Sequence, residues 1–301
     1  MIEVMSPGLQ TTIQDLGRLG FMHYGISQSG AMDDLSCKVA NRLVGMADNN
    51  PVLECTQVGP SIKFNTAMSI AICGAEMEFT LNGNPVNNLQ AVPVLAGDLL
   101  EFKTIRSGFR CYIAFNQTMA IDAALGSVST HVTAGIGGLS GRPLKTGDRI
   151  QFIQADEQLP RYTKPAIYYS GHYQIRYTES PESEFFKLHQ RQQFHDTQYT
   201  VSKDLSRMGI RLHSDRPLTF SEYPQMDSRG LLPGAIQIPP DGVPIIAAKD
   251  AQTTGGYARI GQIISADLPL VGQLKPNDNI NFQRISFSEA HRIWHQQNQL
   301  Y

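Results

Sequence analysis

The sequence predicts a mainly β protein built as two β-rich, barrel-like domains with a few helices, and three observations carry that prediction. Short runs rich in β-branched and aromatic residues recur along the chain, each cut off after a few residues by Gly, Pro or Asn. A turn-to-strand unit appears three times: Ala96-Gly97-Asp98 before LLEF, Thr146-Gly147-Asp148 before RIQF, and Pro276-Asn277-Asp278 before NINF. Its recurrence suggests a barrel-closing element. Between Gln154 and Pro165 the chain turns polar, with two prolines and a cluster of charges in DEQLPRYTKP. That segment is the expected boundary between domains at 1–155 and 165–301.

The start, IEVMSPGLQTTIQDLGRLGFMHYGI, alternates apolar and polar residues and is broken at Pro7-Gly8, Gly17 and Gly20. A strand, a tight turn and an ordered glycine-containing loop are expected. Leu35, Val39, Leu43 and Val44 then recur at helical spacing, with Asp33 or Asp34 at the start and Gly45 as the stop. From Val52 to Phe115 the pattern is β, with Asn82-Gly83 as a hairpin signal because both residues accept positive φ. In the second half a helix is expected over SPESEFFKLHQRQ, capped by Ser180, with Pro181 at its first position and Glu184 near the reciprocal capping position. Strands follow through IGQIISA, and SFSEAHRIWHQQNQL reads as a terminal helix.

Composition narrows the function. Of 301 residues, 41% are hydrophobic and 17% charged, so the chain folds rather than staying disordered. A net charge of -2 gives no electrostatic reason to bind nucleic acid or an anionic membrane. No stretch approaches the ~18 apolar residues of a membrane span, and Met1-Ile2-Glu3 opens directly into strand-like sequence. A cytoplasmic location is therefore expected. Cys37, Cys55, Cys73 and Cys111 form no C-x-x-C pair and sit among apolar neighbours, as buried reduced thiols do. The sequence lacks G-x-x-x-x-G-K-[ST], H-E-x-x-H and any Cys/His cluster with zinc spacing, so no metal site is expected. His291 and His295 can share a helix face but have no third ligand beside them, which makes them a surface pair.

Four segments are candidates for chemistry. In TTIQDLGRLG, Gln14, Asp15 and Arg18 sit beside glycines that allow close backbone approach, and Arg18 can fork onto a carboxylate or phosphate. The alternative is an Asp15–Arg18 pair that merely holds the loop. In SGAMDD, Ser29, Gly30 and Asp33 lie at a helix N-terminus, suited to an anion or to simple capping. In SRMGIRL, Arg207 and Arg211 lie in a strand-like context where a bulge at Gly209 would re-aim Arg207, as a binding or a structural residue. The fourth segment runs from Pro233 to Tyr257. There Pro239-Pro240-Asp241-Gly242 is a turn. Gln252, Thr253, Thr254, Gly255 and Gly256 then offer donors and acceptors without net charge, suited to an amide, a lactam or a small carboxylated ligand.

Taken together, SPGLQTTIQDLGRLGFMHYGI, SGAMDDLSCKVANRLVG, LECTQVGP, CGAE, LSGRPLKTGDRI, SRMGIRL, PGAIQIPPDG and QTTGGY resemble the biotin-dependent carboxyltransferase-like family. That family includes the C subunit of 5-oxoprolinase, allophanate hydrolase subunit 2 proteins and the carboxyltransferase region of urea carboxylase. The resemblance covers about residues 3 to 282 and implies a cyclophilin-like β-barrel architecture. It further implies a hetero-oligomer with the 5-oxoprolinase subunits B and A, in which ATP hydrolysis drives ring opening of 5-oxoproline to glutamate. Arg18, Arg207 and Asp241 are then the catalytic candidates. Gln14, Asp15, Ser29, Asp33, Gln252, Thr253, Thr254, Gly255 and Gly256 are the substrate-binding ones. ATP would bind at or with a partner in that assembly. The chain carries no Met-Lys-Met biotin attachment site and no biotin carboxylase segment, which favours the 5-oxoprolinase reading. Two alternatives stay open: the carboxyltransferase half of a urea or amide carboxylase, and a non-enzymatic regulator that binds a kinase-inhibitor-like B subunit.

Overall fold

The computed structural model describes residues 1–154 and 169–300. The polar stretch expected to separate the domains lies almost wholly outside the described residues. The described chain forms two compact units, residues 1–19, 29–154 and 169 in the first, and 20–28 and 170–300 in the second. The segment 20–28 therefore belongs with the C-terminal half of the chain. The protein is mainly β, with four α-helices among the described residues.

In the first unit a sheet runs from Arg149–Ile150 through Ile2–Ser6, Ser61–Phe64, Leu99–Phe115 and Val52–Thr56 to Gln10–Gln14. The long strand Met68–Leu81 pairs with Leu99–Phe115 and turns back at Asn82 and Gly83, which take φ of 54° and 81°. This is the two-residue turn that Asn-Gly predicts. The core is a cluster that includes Ile2, Ile13, Leu53, Phe64, Ile113 and Phe115, all fully buried. Each such side chain gains roughly 1.5–3 kcal/mol by leaving water. All four cysteines are buried and free, as expected from their neighbours.

The second unit closes into a barrel. His172–Glu179, Arg259–Ile263, Ala235–Gln237, Ile245–Ala247, Gly209–His213, Gln198–Leu205 and Asn279–Arg284 follow one another around it. Asn279–Arg284 pairs in parallel with His172–Glu179 and completes the circuit. The helix expected over 180–192 is divided: a 3-10 turn at Pro181–Phe185 precedes the α-helix Leu188–Asp196. Ser180 does not cap it. Its hydroxyl donates to the Arg259 carbonyl instead, and Gln190 accepts the Lys187 N–H at 2.7 Å at the true start. Phe186, extended and buried, is what interrupts the helical run.

The three turn-to-strand units share one geometry. Asp98, Asp148 and Asp278 each accept the N–H of the residue three back (Leu95, Lys145, Lys275) and return their own N–H to that residue's carbonyl. The residue before the Asp takes positive φ in all three, as Gly97, Gly147 or Asn277. It donates to the carbonyl of Phe64, Val4 or Val201, and that same residue's N–H returns to the Asp carbonyl. The device therefore clips a new strand onto an existing one. Only the Asp278 copy closes a barrel. The other two start Leu99–Phe115 inside the first sheet and Arg149–Ile150 at its end.

Asp148 is also gripped by Arg142 at 2.7 and 2.8 Å, and that charged contact, with the Lys145 N–H, holds its carboxyl below the usual range against the effect of burial. A carboxyl lowered in the folded state stabilises above its unfolded pKa, and the contribution fades as pH falls through the lower folded value. Asp148→Ala is expected to cost about 1–2 kcal/mol at pH 7. In urea titrations the gap between variant and parent should narrow as pH drops below about 4.

Candidate functional site

The first cluster lies in the first unit, where the chain leaves the sheet after Gln14. Gln14 is fully buried, and its amide donates to Thr12 Oγ1 at 2.9 Å and to the Thr130 carbonyl at 3.1 Å. Asp15 follows, with its carboxylate receiving four donors: Ser127 Oγ at 2.6 Å, Ser129 Oγ at 2.5 Å, Val128 N–H at 2.9 Å and Gly17 N–H at 2.8 Å. Arg18 is 1% exposed; its Nη2 donates to the Ser129 carbonyl and its Nε to the Ala124 carbonyl at 3.5 Å. Asp15 and Arg18 thus converge on one segment, Ala124–Ser129, from either side. Gly137 closes the cluster at φ 70°, and a Cβ there would stand 2.9 Å from Arg18 Nη2. A buried guanidinium beside bare backbone is suited to stabilising negative charge on a substrate oxygen. A cavity of about 480 Å3 adjoins it, lined in part by Asp15, Asn49, Asp122 and Ser127.

Ser29 and Asp33 are tied to this cluster by backbone, since the Ala31 N–H donates to the Asp15 carbonyl at 2.8 Å. The Asp33 carboxylate caps the helix Asp34–Leu43, accepting the Ser36 N–H at 2.9 Å and hydroxyl at 2.6 Å. Its own N–H donates to Tyr112 Oη, which in turn donates to Glu54. Glu54 also accepts the Met32 N–H at 2.7 Å and lies 3.9 Å from the Arg110 guanidinium. Burial, then Glu54 and Asp33, push the Tyr112 phenol far up, so it stays a neutral donor. Burial, then Asp34 ahead of Glu54 and Asp33, raises the Cys37 thiol, which removes it as a nucleophile. Glu54, Arg110, Tyr112, Ser127 and Ser129 were not among the sequence candidates. A signal existed for Glu54: it is the one acid in the apolar run VLEC.

The second cluster lies in the second unit. Arg207 sits in the loop joining Gln198–Leu205 to Gly209–His213, not in a strand bulged at Gly209; the irregular register falls between Val201 and Leu205. Arg207 forks onto Asp250 at 2.8 and 3.1 Å with both side chains buried, and the Asp250 N–H returns to the Arg207 carbonyl at 2.7 Å. Ser27 Oγ donates to the next carbonyl, that of Ala251, at 2.6 Å. Arg211 does not join this group but pairs with Asp241 on the surface. Asp241 stands in the expected turn, where the Gly242 N–H donates to the Pro239 carbonyl at 2.9 Å.

The Gln252–Gly256 run alternates: Thr253 and Gly255 are buried, Gln252, Thr254 and Gly256 exposed. Thr254–Gly255 pairs with Arg229–Gly230 as a separate two-stranded ribbon. A Cβ at Gly255 would come within 2.6 Å of Gln237 Nε2, so any larger residue there would displace the end of the Gln237 side chain. Three of the five residues thus present polar or bare backbone surface to solvent.

Residues 24–284 match the family model for the carboxyltransferase domain, subdomain A and B. The chain is 36% identical to the C subunit of 5-oxoprolinase from Escherichia coli, over 96% of this chain and 93% of that one. It is 33% identical to the Haemophilus influenzae protein of the same name, over 100% and 96%. Among solved structures, the Kluyveromyces lactis urea amidolyase superposes with a TM-score of 0.90 at 29% identity. The match takes in 99% of this chain but only 19% of that much longer one. The chain belongs to the family of carboxyltransferase domains that join subdomains A and B.

Proposed function

We propose that this chain is the C subunit of an ATP-dependent 5-oxoprolinase that works with subunits A and B to open 5-oxo-L-proline to L-glutamate. The observation that carries this reading is correspondence of length. The chain aligns nearly end to end with two proteins named as C subunits of 5-oxoprolinase. A lactam amide is resonance-stabilised, so its oxygen must be activated before water can attack the ring carbonyl. Phosphoryl transfer from ATP to that oxygen, addition of one water to the ring carbon, cleavage of the C–N bond to an acyl phosphate and hydrolysis of that acyl phosphate by a second water yield glutamate, ADP and phosphate. In this reading Arg207 offsets charge on the activated oxygen, and the exposed Gln252 and Thr254 of the same unit hydrogen-bond the lactam; Arg18 is the alternative residue for offsetting that charge. Asp241, paired with Arg211 on the surface, orders the turn that leads into that segment. The nucleotide is left at or with a partner in the assembly, because this sequence has no G-x-x-x-x-G-K-[ST] loop.

The test is reconstitution with candidate A and B subunits. Glutamate should form from 5-oxoproline only when all three chains and ATP are present. A second reading, the carboxyltransferase half of a urea or amide carboxylase, is favoured by the TM-score of 0.90 to urea amidolyase. It requires a biotinylated partner. An avidin-reactive protein that co-purifies, with bicarbonate-dependent ATP turnover and no glutamate, would establish it and sink the first.

A further inference from the structure

The C-terminal helix Phe287–Leu300 is anchored to the second unit by Gln297, whose amide donates to the Ala266 carbonyl at 3.1 Å. Beneath its first turns lies a cleft of about 800 Å3, within the range that takes up a small organic ligand. Its walls are apolar, with Leu232, Ile263, Ile264, Leu268, Phe287 and Trp294 among them. Leu232, Phe287 and Trp294 are 53%, 74% and 41% exposed, an apolar patch of the kind that marks a binding surface. Lys249 is the charged side chain lining the cleft, and no carboxylate lines it.

Lys249 is half-buried, and among the described residues it makes no ion pair or hydrogen bond. Its neighbour Asp250 cannot neutralise it, since both oxygens of that carboxylate are engaged by Arg207. Uncompensated positive charge beside a solvent-exposed apolar wall favours one ligand chemistry, an anion that carries an apolar body. We propose that this cleft binds a small amphiphilic carboxylate, with its anionic head at Lys249 and its apolar tail against Ile263, Leu268 and Trp294.

Trp294 is the single tryptophan of the 301 residues, so its fluorescence reports the cleft alone. Titration of the full chain with octanoate should give a saturable change, and 1-octanol should bind at least fivefold more weakly. Hexanoate should bind roughly fifteenfold more weakly than octanoate, since each of the two missing methylenes contributes about fourfold. Lys249→Met should reduce octanoate affinity at least fivefold and leave octanol unchanged. Calorimetric titration of Trp294→Phe should still show octanoate binding, separating occupancy from the optical signal. Absence of saturation, equal affinity for octanoate and octanol, or an unchanged Lys249→Met would each overturn the assignment.

Discussion

Asp15→Ala is expected to lower the stability of the first unit by about 3–5 kcal/mol, with Asp15→Asn costing about half as much. The carboxylate receives two hydroxyls and two backbone N–H groups, and it is 4% exposed. Truncation strands all four donors in a region water reaches poorly, and each stranded donor costs about 1–3 kcal/mol, less what relaxation recovers. Asn keeps one acceptor oxygen but turns an N–H2 toward groups that are themselves donors. Urea unfolding followed by circular dichroism reads the difference. If Asp15 instead stood in reserve as a substrate contact, Asp15→Ala would change stability by less than about 0.5 kcal/mol and act on turnover alone. The geometry argues against that, because a carboxylate with four protein donors has little acceptor capacity left for a ligand. Asp15 then serves the site indirectly, by fixing the segment whose carbonyls receive Arg18.

What the sequence revealed divides along a physical line between local and distant causes. The Asn82-Gly83 turn, the Asp33 cap and the Asp98, Asp148 and Asp278 turns were all legible, because each is decided by bonds among residues a few positions apart. The helix near 188–196 was displaced for the opposite reason: Phe186 is drawn into the core, and burial there overrides a favourable capping pattern at Ser180. Glu54 was marked only by being the one acid in VLEC, and Tyr112 stayed hidden because residues 108–115 are buried on both faces of their strand, so no alternation singles out a polar position. Arg18 was picked out as a candidate, yet its partners lie more than a hundred residues along the chain. Spacing within a motif cannot reveal such a partner. The same holds for Arg207, whose role turns on Asp250.

Arg207→Ala should cost about 3–5 kcal/mol in the second unit, because it leaves Asp250 charged, buried and without its fork. The pair itself contributes far less than that, since burial of both ions opposes their attraction. Arg207→Met combined with Asp250→Leu is therefore expected to recover most of the loss, to within about 1 kcal/mol of the parent. This double variant separates the two roles left open for Arg207. It restores the packing of the loop against Ala248–Asp250 while removing the guanidinium. In the reconstituted three-subunit assembly, normal turnover of the double variant would make Arg207 a residue of the scaffold alone. A stable double variant whose kcat falls by a factor of a hundred or more, about 3 kcal/mol of transition-state stabilisation, would assign the charge to the reaction. The second outcome is the one expected if Arg207 offsets charge on the activated lactam oxygen. A bidentate pair held by a backbone return bond from Asp250 to the Arg207 carbonyl keeps the guanidinium fixed before any ligand arrives. Such fixation is what electrostatic catalysis requires, so the rigidity of the ion pair and the proposed chemistry draw on the same arrangement.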